Sequence, residues 1–270
     1  MKTRILTGLV LGLFMISGML YSFFTCLMLF VIICAFSHQE WQKNFLINES
    51  KLTKTIYTVF FLVCLCILIF VEQVSYSNKL NEWLPYFNGS VILLLCLFGI
   101  PLYLNKNWKF TQSWYCGIFY IYFPLIAGIY FLNQDFETNR WLILGLVIIN
   151  WCNDSFAYFT GRLLGRTPLA PSISPKKTIE GALGGIAFGI LAAYLLNIYM
   201  FQQPYPIEKI IVLGVAVCIA GITGDLYESK MKRLAGIKDS GNLLPGHGGF
   251  LDRFDSFFYI IPVGIFVLSI

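Results

Sequence analysis

Charge is scarce in this chain: Asp and Glu number 14 and Lys and Arg 19 among 270 residues, 12% in all, where soluble domains carry roughly a quarter. With 57% hydrophobic residues and a mean hydropathy of +0.72, that deficit excludes an ordinary soluble globular protein. Alternation of apolar and polar residues is also missing, and continuous apolar stretches exclude a transmembrane barrel. The eight cysteines include no C-x-x-C pair and lie within or at the ends of apolar runs. They are expected to pack rather than to form disulfides or bind metal. No Ser-His-Asp or Cys-His arrangement for nucleophilic catalysis is evident, nor any internal repeat or low-complexity tract. The net charge of +5 says little by itself, because cytoplasmic loops of membrane proteins are enriched in Lys and Arg. No nucleic-acid partner is expected.

What the chain does have is a series of apolar runs, near 5–20, 22–37, 55–72, 89–105, 112–132, 141–159, 182–200, 209–224 and 257–270. They predict an all-α, polytopic integral membrane helical bundle of about nine transmembrane helices. One domain over 1–270 is expected, with N-terminal spans in 1–140 and catalytic spans and cytoplasmic loops in 141–270. The opening MKTRILTGLVLGLFM resembles a secretory signal, but without a small-residue cleavage site it is expected to be a retained span. The uncharged run 5–37 would measure about 50 Å as one straight helix, against a hydrocarbon core of about 30 Å. Two short helices fit better. Nine crossings then place 16 of the 19 basic residues on one side, leaving Lys79, Arg140 and Lys209 on the other. The N-terminus and the two long polar loops are therefore predicted to be cytoplasmic. Trp41, Trp83, Trp108, Trp114 and Trp141 lie near span ends and read as interface anchors, and Glu40 reads as an exposed helix end.

Ten of the 33 charged residues fall in one segment, Gly224–Ser256, between two apolar runs. Asp225 and Glu228 are three apart and Lys232 four further on, so the three can share a helical face. Asp252 and Asp255 repeat the three-residue spacing. Two carboxylate-bearing helix ends joined by a loop suit a hard divalent cation such as magnesium, which takes one or two carboxylates together with waters and phosphates. Surface ion pairing with the basic residues between Lys230 and Arg253 is the plainer alternative, but it leaves the clustering at span boundaries unexplained. Around His247, the run Pro245-Gly246-His247-Gly248-Gly249 predicts an irregular backbone able to approach a ligand closely.

A second loop follows the sixth span. Asn153 and Asp154 end its apolar run, with Asp154 either near the headgroups or turned into the bundle. Arg162 and Arg166 are placed on one helical face, Pro171 and Pro175 then break the helix, and Lys176-Lys177-Thr178 precede a Gly-rich helix start. Backbone N–H groups and ammonium groups there make an anion site, or the cations are positive-inside ballast in contact with lipid headgroups. Cations for phosphate beside carboxylates for metal suit phosphoryl or nucleotidyl transfer.

These residues resemble the phosphatidate cytidylyltransferases, whose signature is similar to S-x-x-K-R-x4-K-D-x-[GSA]-x2-[LIF]-[PG]-x-H-G-G-x-x-D-R-x-D. Ser229 to Arg233, Lys238 to Gly241, Leu244 to Gly249 and Asp252 to Asp255 match it without a gap, and Asn153-Asp154-Ser155, Gly161-Arg162, Gly165 and Ser174 to Gly181 also look like family features. The N-terminal half resembles the family only in layout and in Glu40-Trp41. The resemblance implies a reaction of CTP with phosphatidic acid to give CDP-diacylglycerol and pyrophosphate. It implies magnesium held by Asp225 and Asp252, with Asp255 beside them or one layer behind, and leaves room for a second cation, monovalent or divalent. Phosphates would be held by Lys176, Lys177, Lys232, Arg233, Lys238 and Arg253, and His247 would bind a phosphate oxygen or protonate the leaving group. Asn153, Asp154, Arg162, Ser229, Gly248 and Gly249 complete the expected substrate-binding set. A homodimer, a cavity for acyl chains and a multi-pass location in a cell membrane, the bacterial inner membrane, are implied as well.

Two other readings compete with this one. A cytidylyltransferase for a different lipid phosphate would carry a similar loop. An ion-coupled transporter would hold its acids at mid-membrane between broken helices, whereas these lie at span ends. The D-x2-D-G-x2-A-R run of CDP-alcohol phosphotransferases is absent.

Overall fold

The computed structural model describes residues 2–47, 49–74, 114–202, 204–244 and 248–270. The span expected near 89–105 lies outside them, as do Trp83, Trp108 and His247. Within them the regular structure is helical except for one short hairpin and an isolated bridge between Leu244 and Gly248.

The first apolar run does divide. Helix α1 (Lys2–Leu20) stops at Tyr21, and α2 (Phe23–Phe45) restarts behind a reciprocal cap. Ser22 Oγ accepts from the Thr25 N–H at 3.1 Å, and Thr25 Oγ1 accepts from the Ser22 N–H at 3.0 Å. Helix α2 does not end at Ser37, as the hydropathy implied, but continues through a polar last turn that the protein buries. Trp41 is fully buried rather than anchored at an interface. Its ring occupies the space where Gly117 has no side chain; a Cβ there would meet Trp41 Nε1 at 2.5 Å.

Helix α3 (Lys51–Val74) follows, and after the undescribed segment come α4 (Trp114–Gly117), a π-helical turn (Ile118–Tyr122) and α5 (Phe123–Gln134). The wide turn precedes Pro124, which lacks an N–H and whose ring crowds the carbonyl four residues back. His38 Nδ1 lies 2.6 Å from the Tyr122 hydroxyl, tying α2 to this turn.

Helix α6 (Phe136–Leu164) is followed by strands β1 (Pro168–Ala170) and β2 (Ser174–Thr178), which pair antiparallel with Pro168 opposite Thr178 and Ala170 opposite Ser174. The all-α class holds, and within it the proline-broken loop closes into this one two-stranded hairpin. Arg166 lies beyond the end of α6, so Arg162 and Arg166 do not share a helical face. Thr178 caps α7 (Ile179–Tyr199), its side chain accepting from the Gly181 N–H at 3.1 Å.

Helix α8 (Ile207–Leu234) has 28 residues and a length of about 42 Å at 1.5 Å per residue. That exceeds the hydrocarbon thickness, so its last turns, which bear Asp225 to Arg233, project past the apolar part. A single turn, α9 (Leu251–Phe254), and α10 (Phe257–Ser269) complete the chain. One continuous core joins the halves; Phe30 of α2 meets Phe257 of α10 edge to face at 5.7 Å. Among the described residues, four helices are long and apolar enough to cross a membrane: Phe23–Phe45, Phe136–Leu164, Ile179–Tyr199 and Ile207–Leu234. The described cysteines are all free thiols.

Candidate active site

A cavity of about 880 Å3 opens between α1, α6, the hairpin, the end of α8 and the α9 turn. Its lining is of two kinds. Gly8, Gly12 and Met15 of α1 with Val147 and Trp151 of α6 supply apolar lining, and Asp154, Asp225, Asp252, Asp255, Lys176, Lys177, Arg162 and Arg253 supply charged lining. Its size is in the range of small-molecule sites.

The helix α8 and the hairpin meet through charged lining residues. Lys177 Nζ is 2.6 Å from Asp225 Oδ2, and the Ser229 hydroxyl donates to Asp225 Oδ1 at 3.1 Å. Asp154 enters from α6 and accepts from Asn150 Nδ2 at 3.2 Å, which the i,i+4 spacing allows. Asp154 lines the cavity and is exposed to it.

Behind these lies a tighter cluster. Lys232 Nζ is 2.5 Å from Glu228 Oε2 and 2.6 Å from Asp252 Oδ1, so two acidic side chains share one ammonium out of bulk water. Asp252 is further tied down: its Oδ2 accepts from the Ser240 N–H at 2.9 Å and the Gly249 N–H at 2.8 Å. Burial works to raise its pKa, but hydrogen bonding with Glu228, the Lys232 charge and the Gly249 N–H outweigh it and hold the carboxyl below the usual range. Asp255 differs. Burial, and then the charge of Asp225, push its carboxyl up to about 8, although its backbone is well placed, with the Tyr120 hydroxyl donating to its carbonyl at 3.2 Å.

A hard cation fits this donor set on electrostatic grounds. Asp154, Asp225 and Asp255 crowd one cavity, and a lysine lining it already contacts one of them. Among the described residues no three His, Cys, Asp or Glu side chains are close enough to hold a metal alone. Magnesium does not require that, because it takes one or two carboxylates plus waters and phosphates. Each Asp225 oxygen has a single protein donor, Lys177 or Ser229, and Asp255 Oδ1 accepts the Ser256 N–H at 2.6 Å, whereas Asp252 is the most heavily engaged, with Lys232 on Oδ1 and two N–H groups on Oδ2.

Other expected residues are placed differently. Arg233 is exposed and its guanidinium donates to the Ile237 carbonyl at 3.2 Å; neither it nor the exposed Lys238 lines the cavity. Asn153 is fully buried against Gly185, where a Cβ would come 2.6 Å from Asn153 Oδ1. After His247, Gly248 has φ +85°, and a Cβ on it would sit 2.7 Å from Asp252 Oδ2.

Glu40 is the residue that sequence reasoning misplaced. It is only 8% exposed, and its carboxylate accepts from the Ser240 hydroxyl at 2.7 Å and from the Phe250 and Leu251 N–H groups at 2.8 Å each. Asn44, one turn on, donates to the Ser240 carbonyl. The available signal was a lone acid followed by Trp at the end of a long uncharged run.

A helical membrane protein whose cavity is lined both by apolar residues and by carboxylates and cations suits an enzyme acting on an amphiphilic phosphate. A sequence model of the cytidylyltransferase family matches residues 2–270, and the chain belongs to that family. It is similar to the phosphatidate cytidylyltransferase of Aquifex aeolicus (strain VF5), 34% identical over 214 residues, which are 75% of this chain and 80% of the relative. It is also similar to that of Bacillus subtilis (strain 168), 33% identical over 205 residues and 75% of each chain. With the Staphylococcus aureus (strain COL) enzyme the identity is 39% over 163 residues, 59% of this chain and 61% of the relative.

Proposed function

We propose that this protein joins CTP and phosphatidic acid to give CDP-diacylglycerol and pyrophosphate. The family match along the whole chain carries the reading, and the mixed apolar and charged lining of the cavity supports it. An oxygen of the lipid phosphate attacks the α-phosphorus of CTP, the bond from that phosphorus to the bridging oxygen breaks, and pyrophosphate leaves. A phosphate monoester is already largely ionised at neutral pH, with a second pKa of about 6, so no strong base is needed. Lys177 and Lys176 from the hairpin, with Arg162 and Arg253, bind the phosphates and orient the two reactants for in-line displacement. Asp225 and Asp255 would hold magnesium, which supplies charge neutralisation on the nucleotide phosphates. Asp252 and Lys232 keep the α8 end and the α9 turn in register. The apolar lining from α1 and α6 suits acyl chains.

The positive-inside asymmetry supports nine crossings with the N-terminus and the site on the cytoplasmic side of a bacterial cell membrane. The family resemblance supports a homodimer.

Purified protein should form CDP-lipid only with both CTP and magnesium present. Asp225→Asn and Asp255→Asn should each lower kcat by about a hundredfold or more, roughly 2.7 kcal/mol of transition-state stabilisation. No product from wild type with any lipid phosphate would overturn the reading.

A further inference from the structure

We infer that Glu40, on the N-terminal helix α2, is the positioning residue that holds the described loop residues 240–244 and 248–251, and through them Asp252, in catalytic register; the inference rests on the reaction proposed above. A buried carboxylate requires compensating donors, and all three that Glu40 uses belong to this loop. The loop in turn divides its donors between two acids. Ser240 gives its hydroxyl to Glu40 and its N–H to Asp252; Gly249 gives its N–H to Asp252, and the next two residues give theirs to Glu40.

The loop sequence is shaped to the Glu40 carboxylate. A Cβ on Gly241 would lie 2.5 Å from Glu40 Oε1, and one on Gly249 would lie 2.7 Å from Oε2. Glu40 itself does not line the cavity, so it reaches the chemistry only through the groups it holds. Those groups lead directly to Asp252, and from Asp252 to Lys232 and Glu228. The N-terminal half thereby sets the geometry of a site whose other charged residues lie beyond residue 150.

Glu40→Gln tests this, because it keeps shape and volume but sets an amide NH2 against donors. It should lower kcat about tenfold or more while the KM for CTP stays within about twofold. Paired with Asp252→Asn, its effect should largely vanish: the double variant should fall within about threefold of Asp252→Asn alone, as coupled residues do. Ser240→Ala removes one bond of three and should give a smaller loss in the same direction. Hydrogen exchange of 248–254 reads the anchor without catalysis, and there Glu40→Gln should raise the rate about tenfold or more while α7 is unchanged. Unchanged exchange in 248–254, or losses that multiply in the double variant, would overturn the inference. If wild type forms no CDP-lipid, the reaction falls, and the exchange measurement still decides whether Glu40 holds the loop.

Discussion

Asp252 and Asp255 stand three residues apart at one cavity and have opposite protonation behaviour, because their partners differ. Asp252 faces an ammonium and two N–H groups, so its contribution to stability is present at neutral pH and is lost on acidification through its depressed folded value. Asp255 is pushed up from 3.8 to about 8 by burial and by Asp225. Between those values the folded protein holds a proton that the unfolded chain has released, so rising pH destabilises the fold across that window, and the full penalty is present above about 8. In chelator, the melting temperature of the detergent-solubilised protein should therefore fall from about pH 5 to about pH 9. Asp255→Asn should flatten this dependence, and magnesium should restore stability at the alkaline end; a wild-type profile without that slope would remove Asp255 from the cluster described. The spacing of the two acids was legible in the sequence, but their unequal states were not. Those depend on which donors the fold brings to each carboxylate.

At the scale of elements, the hairpin and α7 are positioned by contact with α6. Gly181 and Gly185 lie one turn apart on the face of α7 against it. A Cβ on Gly181 would be 2.7 Å from the Ala157 carbonyl, and one on Gly185 would be 2.7 Å from the Asn153 carbonyl. Small residues at this spacing let two membrane helices approach closely. Gly185→Ala should accordingly destabilise the protein by about 1–3 kcal/mol, seen as a lower melting temperature, with α7 and the hairpin carrying Lys177 pushed from Asp225. A melting temperature equal to wild type would show that the helices part at no cost. From the sequence, this Gly-rich start looked like one component of an anion site. The structure packs these glycines against α6, so in the proposed reaction phosphate binding rests on the lysines just ahead of them.

For the whole molecule, the division into N-terminal spans and a catalytic half describes the sequence better than the fold. Glu40 braces Ser240, Phe250 and Leu251, Phe30 packs on Phe257, and α1 walls the cavity. Residues 136–270 expressed alone should therefore give neither a monodisperse species in detergent nor CDP-lipid, and co-expression with 1–135 should recover both. A stable, active C-terminal fragment would refute the single-domain reading. By itself, the sequence determined the membrane-helical class, the break between α1 and α2, the two polar loops and the family, because hydropathy, run length and motif spacing are local properties of the chain. The tertiary structure alone decided that Glu40 is buried, that Trp41 is core, that Asn153 faces a glycine, and that Asp252 is held while Asp255 is crowded. Each of these depends on which distant donor, ring or charge fills the space beside a side chain, and chain-distant proximity has no local signature.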